Sequence, residues 1–247
     1  GYGIWLDNNA SGNSVINNTI KTTGSYGYGM YLSGSSRNLF NNNTITTTSA
    51  TSAYGVYLSS ASYDNTFRNS RINGSASVPI YVDTNKVNGS FIDSTLFSSG
   101  SVNHTDTGTS LSAGSSLIFL NMSFNKSRIQ IRDADFVLTN QYYFNTNVTY
   151  NNNPFADAWV NTSYNNGTQA FSQMTAANGF ITTQNVTEYI QNQTGTYYLT
   201  PYNLSVTKTG YAETYRNSSV NFTDNLQVNV PFEKGGENGT SGCSVLS

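Results

Sequence analysis

A block of about 25 residues recurs along the first half of this chain, and it limits the possible folds more than any other feature. Four copies of one motif align: Tyr2-Gly3-Ile4-Trp5-Leu6, Tyr28-Gly29-Met30-Tyr31-Leu32, Tyr54-Gly55-Val56-Tyr57-Leu58 and Val78-Pro79-Ile80-Tyr81-Val82. Their starts lie 26, 26 and 24 residues apart. A second motif, Asn-x-Val/Phe-x-Asn-x-x-Ile, is interleaved with the first at Asn13 to Ile20, Asn38 to Ile45 and Asn65 to Ile72. Weaker copies run from Gly89 to Leu96 and from Leu117 to Phe124. Two motifs sharing one period are the mark of a stacked repeat. The repeats are rich in Thr, Val, Ile, Tyr and Asn, which disfavour helices and favour strands and turns. Leucine-rich repeats need more Leu than is present, and helical arrays need longer units. A parallel β-helix, with three short strands and three turns per rung, meets every requirement.

Strand alternation then assigns faces. Ile4 and Leu6, Met30 and Leu32, Val56 and Leu58, and Ile80 and Val82 point inward. Trp5, Tyr31, Tyr57 and Tyr81 form an outward column. Val15, Phe40, Phe67, Phe91 and Phe119 make one interior ladder, and Ile20, Ile45, Ile72, Leu96 and Phe124 another. Between these two lies a polar column of Asn17, Asn42, Asn69, Asp93 and Asn121, which suits a turn where stacked amides satisfy the backbone. Gly-Ile-Trp-Leu (3–6) with Asn-Asn-Thr-Ile (17–20), and Gly-Met-Tyr-Leu (29–32) with Asn-Asn-Thr-Ile (42–45), resemble the right-handed parallel β-helix repeats of NosD-like periplasmic proteins and archaeal surface proteins. The resemblance covers roughly residues 1–125. It implies a fold and little about function, since the scaffold carries lyases, hydrolases, adhesins and inert spacers alike.

The period ends near Asn125. Beyond it, short alternating runs such as Leu204 and Val206, Val220 and Phe222, and Val228 and Val230 are separated by turn signals at Asn165-Asn166-Gly167, Asn178-Gly179 and Thr209-Gly210. Seven or so such strands predict a β-sandwich. Pro154 to Val160, Ala177 to Phe180 and Pro201 to Tyr211 resemble the carboxypeptidase regulatory-like domain, a transthyretin-like sandwich. The family's usual Asp-x-x-Gly stands here as Ala-Ala-Asn-Gly. The resemblance implies a noncatalytic spacer or interaction module. The expected organisation is all-β: a parallel β-helix of about five rungs over 1–125, a sandwich over 126–232 and a flexible tail over 233–247.

Charged residues make up 10% of the chain and the net charge is −2, so no basic field exists to attract nucleic acid or an anionic membrane. No apolar run is long enough for a membrane span. One Cys and one His exclude an internal disulfide and a Cys/His zinc site. Solubility must come from uncharged groups, and Asn, Ser and Thr supply 99 of 247 residues. Asn-x-Ser/Thr occurs 17 times, where composition alone gives roughly nine. The excess points to a glycosylated extracellular surface, on which glycans replace charge. The expected acceptors are Asn73, Asn88, Asn103, Asn125, Asn147, Asn161, Asn166, Asn185, Asn192, Asn203, Asn217, Asn221 and Asn238. Asn17 and Asn42 are set aside because a packed ladder leaves a glycan no room.

Candidates for chemistry are few. His104, the only histidine, reads as a loop residue beside Asp106. The acidic residues of the first half are Asp7, Asp64, Asp83, Asp93 and Asp106. Asp7 and Asp83 follow corresponding strands but lie three rungs, about 14 Å, apart, too far for a glycosidase carboxylate pair. No catalytic residue, cofactor or metal is expected. Trp5, Tyr31, Tyr57 and Tyr81 are the candidate interaction surface, able to meet another subunit or a glycan. The chain is thus expected to be a noncatalytic structural or adhesive glycoprotein of a microbial, archaeal-type cell surface. Its expected partner is itself, in a head-to-tail filament or lattice, because Tyr2 to Leu6 reads as a core strand with no cap before it. The alternative is a carbohydrate-binding or carbohydrate-active protein that uses the aromatic face.

Overall fold

A computed structural model describes residues 1–48, 52–74, 77–99, 103–108, 110–211, 214–232 and 244–246. Asn238 and Cys243 lie outside the described residues, as does most of the expected tail. The chain divides into two compact units: Gly1–Asn140 with Ile190–Thr196, and Gln141–Tyr189 with Tyr197–Ser247.

The first unit is a β-solenoid of about five turns. Its first sheet contains β1 (Ile4–Asp7), β4 (Met30–Ser33), β7 (Val56–Ser59), β10 (Ile80–Asp83) and β13 (Thr105–Thr107). The second contains β2 (Ser14–Ile16), β5 (Leu39–Asn41), β8 (Asn65–Arg68), β11 (Asn88–Ile92) and β14 (Ser115–Leu120). The third contains β3 (Thr19–Thr22), β6 (Thr44–Thr47), β9 (Arg71–Asn73) and β12 (Thr95–Phe97). Pairing is parallel and in register: Ile4, Met30, Val56, Ile80 and Thr105 are successive partners, as are Trp5, Tyr31, Tyr57, Tyr81 and Asp106.

The ladders expected from the repeat fill the interior. Phe40, Phe67 and Phe91 are fully buried and stacked nearly parallel, with ring centroids 4.4 and 4.5 Å apart. Phe119 tilts to 75° against Phe91 because Phe124 meets its other side edge-on. The glycine of the first motif has a steric cause. A Cβ on Gly29 would overlap Cγ2 of Ile45 and lie 2.6 Å from the Gly55 carbonyl oxygen, and Gly3 and Gly55 are crowded in the same way by Ile20 and Ile72. The small residue in the first sheet is therefore the counterpart of the branched residue in the third.

The polar column divides into two parts with different roles. Asn17, Asn42, Asn69, Asp93 and Asn121 all have positive φ, between 48° and 61°. Asn and Asp tolerate that left-handed conformation better than other residues with a side chain. Asn17, Asn42, Asn69 and Asp93 are exposed. The packed ladder lies one residue further on. Asn18 N–H donates to Asn43 Oδ1, Asn43 N–H to Ser70 Oγ, and Ser70 N–H to Ser94 Oγ, at 3.0–3.2 Å. A parallel ladder precedes it, with Asn13 N–H donating to Asn38 Oδ1 and Asn38 N–H to Asn65 Oδ1. The exposed column is bonded too, since Asn42 Nδ2 donates to Asn17 Oδ1 at 2.8 Å, but the buried amides are their neighbours and the head residues of the motif.

The first unit extends past residue 125. A short 3₁₀ turn, Lys126–Arg128, leads to Ile129 and Ile131, which pack against the solenoid core together with buried Phe136 and Leu138. A hydrophobic pattern without the 25-residue period does not reveal this extension.

The second unit is β-rich. β15 (Phe136–Tyr150) enters it and pairs with β16 (Asn153–Pro154) and, in parallel, with β23 (Leu226–Phe232). β19 (Gln184–Asn192), β20 (Gly195–Tyr198) and β24 (Ser244–Leu246) complete that sheet. The other sheet is antiparallel, with β17 (Trp159–Ser163) and β21 (Tyr202–Thr207) at its centre and β18 (Gln169–Met174) and β22 (Thr214–Val220) at its edges. Phe144, Val148, Val160, Leu204, Val206, Phe222, Val228 and Val230 form one core, as strand alternation requires. The expected turns at 165–167, 178–179 and 209–210 are present.

Candidate functional site

The outer face of the first sheet carries the candidate interaction surface, and it is wider than one column. Tyr2, Tyr28 and Tyr54, the first residues of the motif, form a second column beside Trp5, Tyr31, Tyr57 and Tyr81. Backbone bonds from Gly3 N–H to the Tyr28 carbonyl and from Gly29 N–H to the Tyr54 carbonyl hold it in register. Tyr28 stacks on Tyr54 at 5.5 Å and 12°, and Tyr54 on Tyr81 at 4.3 Å and 7°; the edges of Tyr28 and Tyr81 meet Tyr57 at 4.9 and 5.2 Å. The signal for this second column was already in the motif, whose copies open on Tyr three times.

These rings cover one another's faces. Tyr28 is buried, and Tyr31, Tyr54, Tyr57 and Tyr81 are half-buried, whereas Trp5 is 56% exposed. Burial, with the neighbouring phenols, pushes the Tyr28 hydroxyl up to about 12. Burial, with Asp83 and other neighbours, does the same for Tyr81. Tyr57 is raised further by burial and by its 2.6 Å hydrogen bond to Asp83 Oδ2. A ring stacked on both sides has no face left for a sugar, so most of this surface can form edge contacts and hydroxyl hydrogen bonds, but not ring stacking.

The outward column ends on Asp106. That position belongs to a fifth copy of the first motif, His104-Thr105-Asp106-Thr107, whose polar residues hide it in the sequence. Thr105 and Thr107 occupy the positions of Ile80 and Val82. For Thr107 the reason lies in the segment that follows: its Oγ1 accepts the backbone N–H groups of Arg132 and Asp133 at 2.6 and 3.2 Å. Asp106 pairs with the Arg132 guanidinium at 2.7 Å. Burial raises its carboxyl above the usual range, and Arg132 opposes the rise.

His104 lies in a bend immediately before β13. It stands in the column of Gly3, Gly29, Gly55 and Pro79, is 4% exposed, and faces the ring edge of Phe124 at 6.4 Å. Its Nδ1 has no hydrogen-bond partner. Burial, reinforced by Arg128, lowers its pKa to about 4. The imidazole is therefore neutral at pH 7 and sealed from any substrate. The intervals 3, 29, 55, 79 and 104 continue the repeat period and are the sequence signal for this position.

Three further carboxylates are engaged locally. Asp7 accepts from the backbone and side chain of Asn8, Asp93 accepts from Asn121, and Asp133 accepts the backbone N–H of Leu111 and Asp135. Asp7 and Asp83 stand three rungs apart, as the repeat requires. Among the described residues, no three His, Cys, Asp or Glu side chains are grouped to hold a metal. No helix among them is long and apolar enough to cross a membrane.

The chain matches no protein-family model, no curated protein and no solved structure. Function must therefore be read from the residues themselves.

The candidate glycosylation sites differ in access. Asn125, Asn166, Asn185 and Asn221 are exposed; Asn73, Asn88, Asn103, Asn147, Asn161, Asn192, Asn203 and Asn217 are half-buried. Asn147, Asn203 and Asn221 sit next to buried Val148, Leu204 and Phe222, on the opposite side of the strand or its extension.

Proposed function

We propose that this protein is a noncatalytic structural or adhesive glycoprotein of a microbial cell surface. In this reading the solenoid is a stiff spacer. One observation carries it: Asp83, Asp106 and Asp133 are engaged in bonds that hold the chain together, and the single histidine is buried. Asp83 takes the Tyr57 hydroxyl, Asp106 takes Arg132, Asp133 ties down a loop, and His104 is buried and neutral. A surface with 10% charge and exposed sequons at Asn125, Asn166, Asn185 and Asn221 supports the glycoprotein part of the reading.

The aromatic face is assigned to stability in this proposal. Each stacked or edge-on pair adds about 0.5–1.5 kcal/mol beyond area burial. The second reading, a carbohydrate contact on this face, draws its support from Trp5 alone, the ring with the most open surface. Self-association of copies belongs to the same proposal.

The test is the mass of protein purified from its native source, before and after chemical deglycosylation. A loss corresponding to several glycans, mapped to exposed sequons, is expected; an unchanged mass overturns the glycoprotein reading. Sedimentation and electron microscopy of the same material read the assembly, and monomers alone would remove that part.

A further inference from the structure

The outer face of the four-stranded sheet in the second unit is arranged in rows. One row crosses all four strands: Ser172, Asn161, Ser205 and Arg216 are successive cross-strand partners. To one side, two residues along each strand and about 7 Å away, stand Met174, Trp159 and Thr207. To the other side stand Gln169, Ser163 and Asn203. The opposite face carries Val160, Leu204, Val206 and Tyr215 into the core.

Asn161, Ser205 and Arg216 of the central row, with the polar row, line a groove of about 430 Å³, which also takes in Asn217. Its lining contains no acidic residue and one cation, Arg216. No described residue pairs with that guanidinium. Asn161 Oδ1 accepts the Ser172 hydroxyl at 2.6 Å, which leaves its amide N–H groups free. The hydroxyls of Ser163 and Ser205 stand beside them. One row away, Trp159 and Met174 are 44% and 48% exposed. Unlike the rings of the solenoid face, Trp159 is stacked on no other ring among the described residues.

We propose that this face binds an oligosaccharide bearing a carboxylate, such as a uronic-acid chain. Sugar recognition needs amides and hydroxyls in a row for ring hydroxyls, and an open indole for the apolar face of a pyranose. Arg216, which no described residue pairs, stands in a groove lining without acids and selects the carboxylate, which a guanidinium binds in a fork. A volume of this size suits a small ligand of a few sugar units. A single cation on a chain of net charge −2 offers no comparable path for a nucleic-acid backbone. This site is separate from the aromatic face and does not depend on the structural reading.

Asn161, Asn203 and Asn217 are also sequon residues, and a glycan on either of the first two would fill the groove. The experiment therefore has two arms. The full chain, made in a host that attaches no N-glycans, is titrated with trigalacturonate and with its methyl ester by calorimetry. Binding of the acid is expected, with the ester and the Arg216→Gln variant each weaker by roughly tenfold or more. Trp159→Ala is expected to weaken both ligands together. All variants should melt with the parent, since the altered side chains are exposed. Equal affinity for acid and ester, unchanged binding by Arg216→Gln, or no binding up to about 10 mM overturns the proposal. So does a glycan found on the Asn161 or Asn203 peptide of native protein.

Discussion

The hydroxyl of Tyr57 donates a 2.6 Å hydrogen bond to Asp83 Oδ2 on the next rung. The bond joins the outward aromatic column to the polar residue that ends strand β10. Tyr57→Phe keeps the ring contacts and removes only the donor. Loss of one hydrogen bond to a half-buried carboxylate should lower stability by about 1–2 kcal/mol. A urea midpoint shift of that size, at constant slope, checks it; an unchanged midpoint would mean that water replaces the phenol freely.

The same face should set the alkaline limit of the fold. Tyr28 and Tyr81 both rise to about 12, first through burial. A phenol whose folded pKa lies above its unfolded value of about 10 stabilises the fold fully below pH 10. That contribution is lost as pH rises from 10 toward 12. Melting temperature should fall across this window, together with the rise of phenolate absorbance. Phenolate forming at ordinary pH with no loss of stability would refute the burial of these rings.

The two amide columns should respond differently to mutation. Asn38 is 1% exposed, accepts from both Asn13 N–H and Asn13 Nδ2, and donates to Ala10 and Asn65. Asn38→Ala strands several of these groups and should cost about 2–3 kcal/mol. Asn42 is exposed and has a φ of 53°. Asn42→Gly retains that conformation and should change stability by less than about 0.5 kcal/mol. Equal losses would show that the exposed column, bonded through Asn42 and Asn17 at 2.8 Å, is structural too.

Gly29 tests the pairing of small and branched residues between sheets. Its Cβ would meet Ile45 and the Gly55 carbonyl. The carbonyl belongs to an inter-rung hydrogen bond and cannot move away. Gly29→Ala should therefore cost about 3 kcal/mol or more. Gly167, unlike Gly29, has positive φ and has open space around it, so Gly167→Ala should cost only about 1 kcal/mol of backbone strain. The ratio of the two, read from thermal melts, separates packing from conformation.

Much of the solenoid was legible because each rung repeats the same packing problem at the same spacing. The inward ladders, the outward aromatic column and the left-handed Asn17–Asn121 column all follow from period and alternation. What escaped was the rung where the solution changes. Thr107 replaces Val because the backbone of Arg132 and Asp133 needs an acceptor there, a requirement set by residues about 25 positions away; nothing in the structure explains Thr105 in the place of Ile80. The Tyr2, Tyr28 and Tyr54 column precedes the strands, so two-residue alternation does not reach it. In the second unit, alternation identified the core, but the row from Ser172 to Arg216 depends on strand order, which local pattern does not encode.

His104 shows what the hidden rung implies for pH dependence. As a buried residue with a pKa lowered to about 4, it stays neutral in the fold while the unfolded chain takes up a proton near 6.5. Its contribution is complete above pH 6.5 and is lost as pH falls toward 4, by roughly 3 kcal/mol. Asp106 acts in the opposite sense, since its raised carboxyl takes up a proton in the fold first. The comparison must therefore be with His104→Leu, which retains the Asp106 response and deletes the imidazole. That variant also removes the unpartnered Nδ1, so it should match or exceed the parent at pH 7 and gain on it steadily down to pH 4. Parallel stability curves for the two proteins between pH 6.5 and 4 would show that His104 titrates normally and is not held in the column of Gly29 and Pro79.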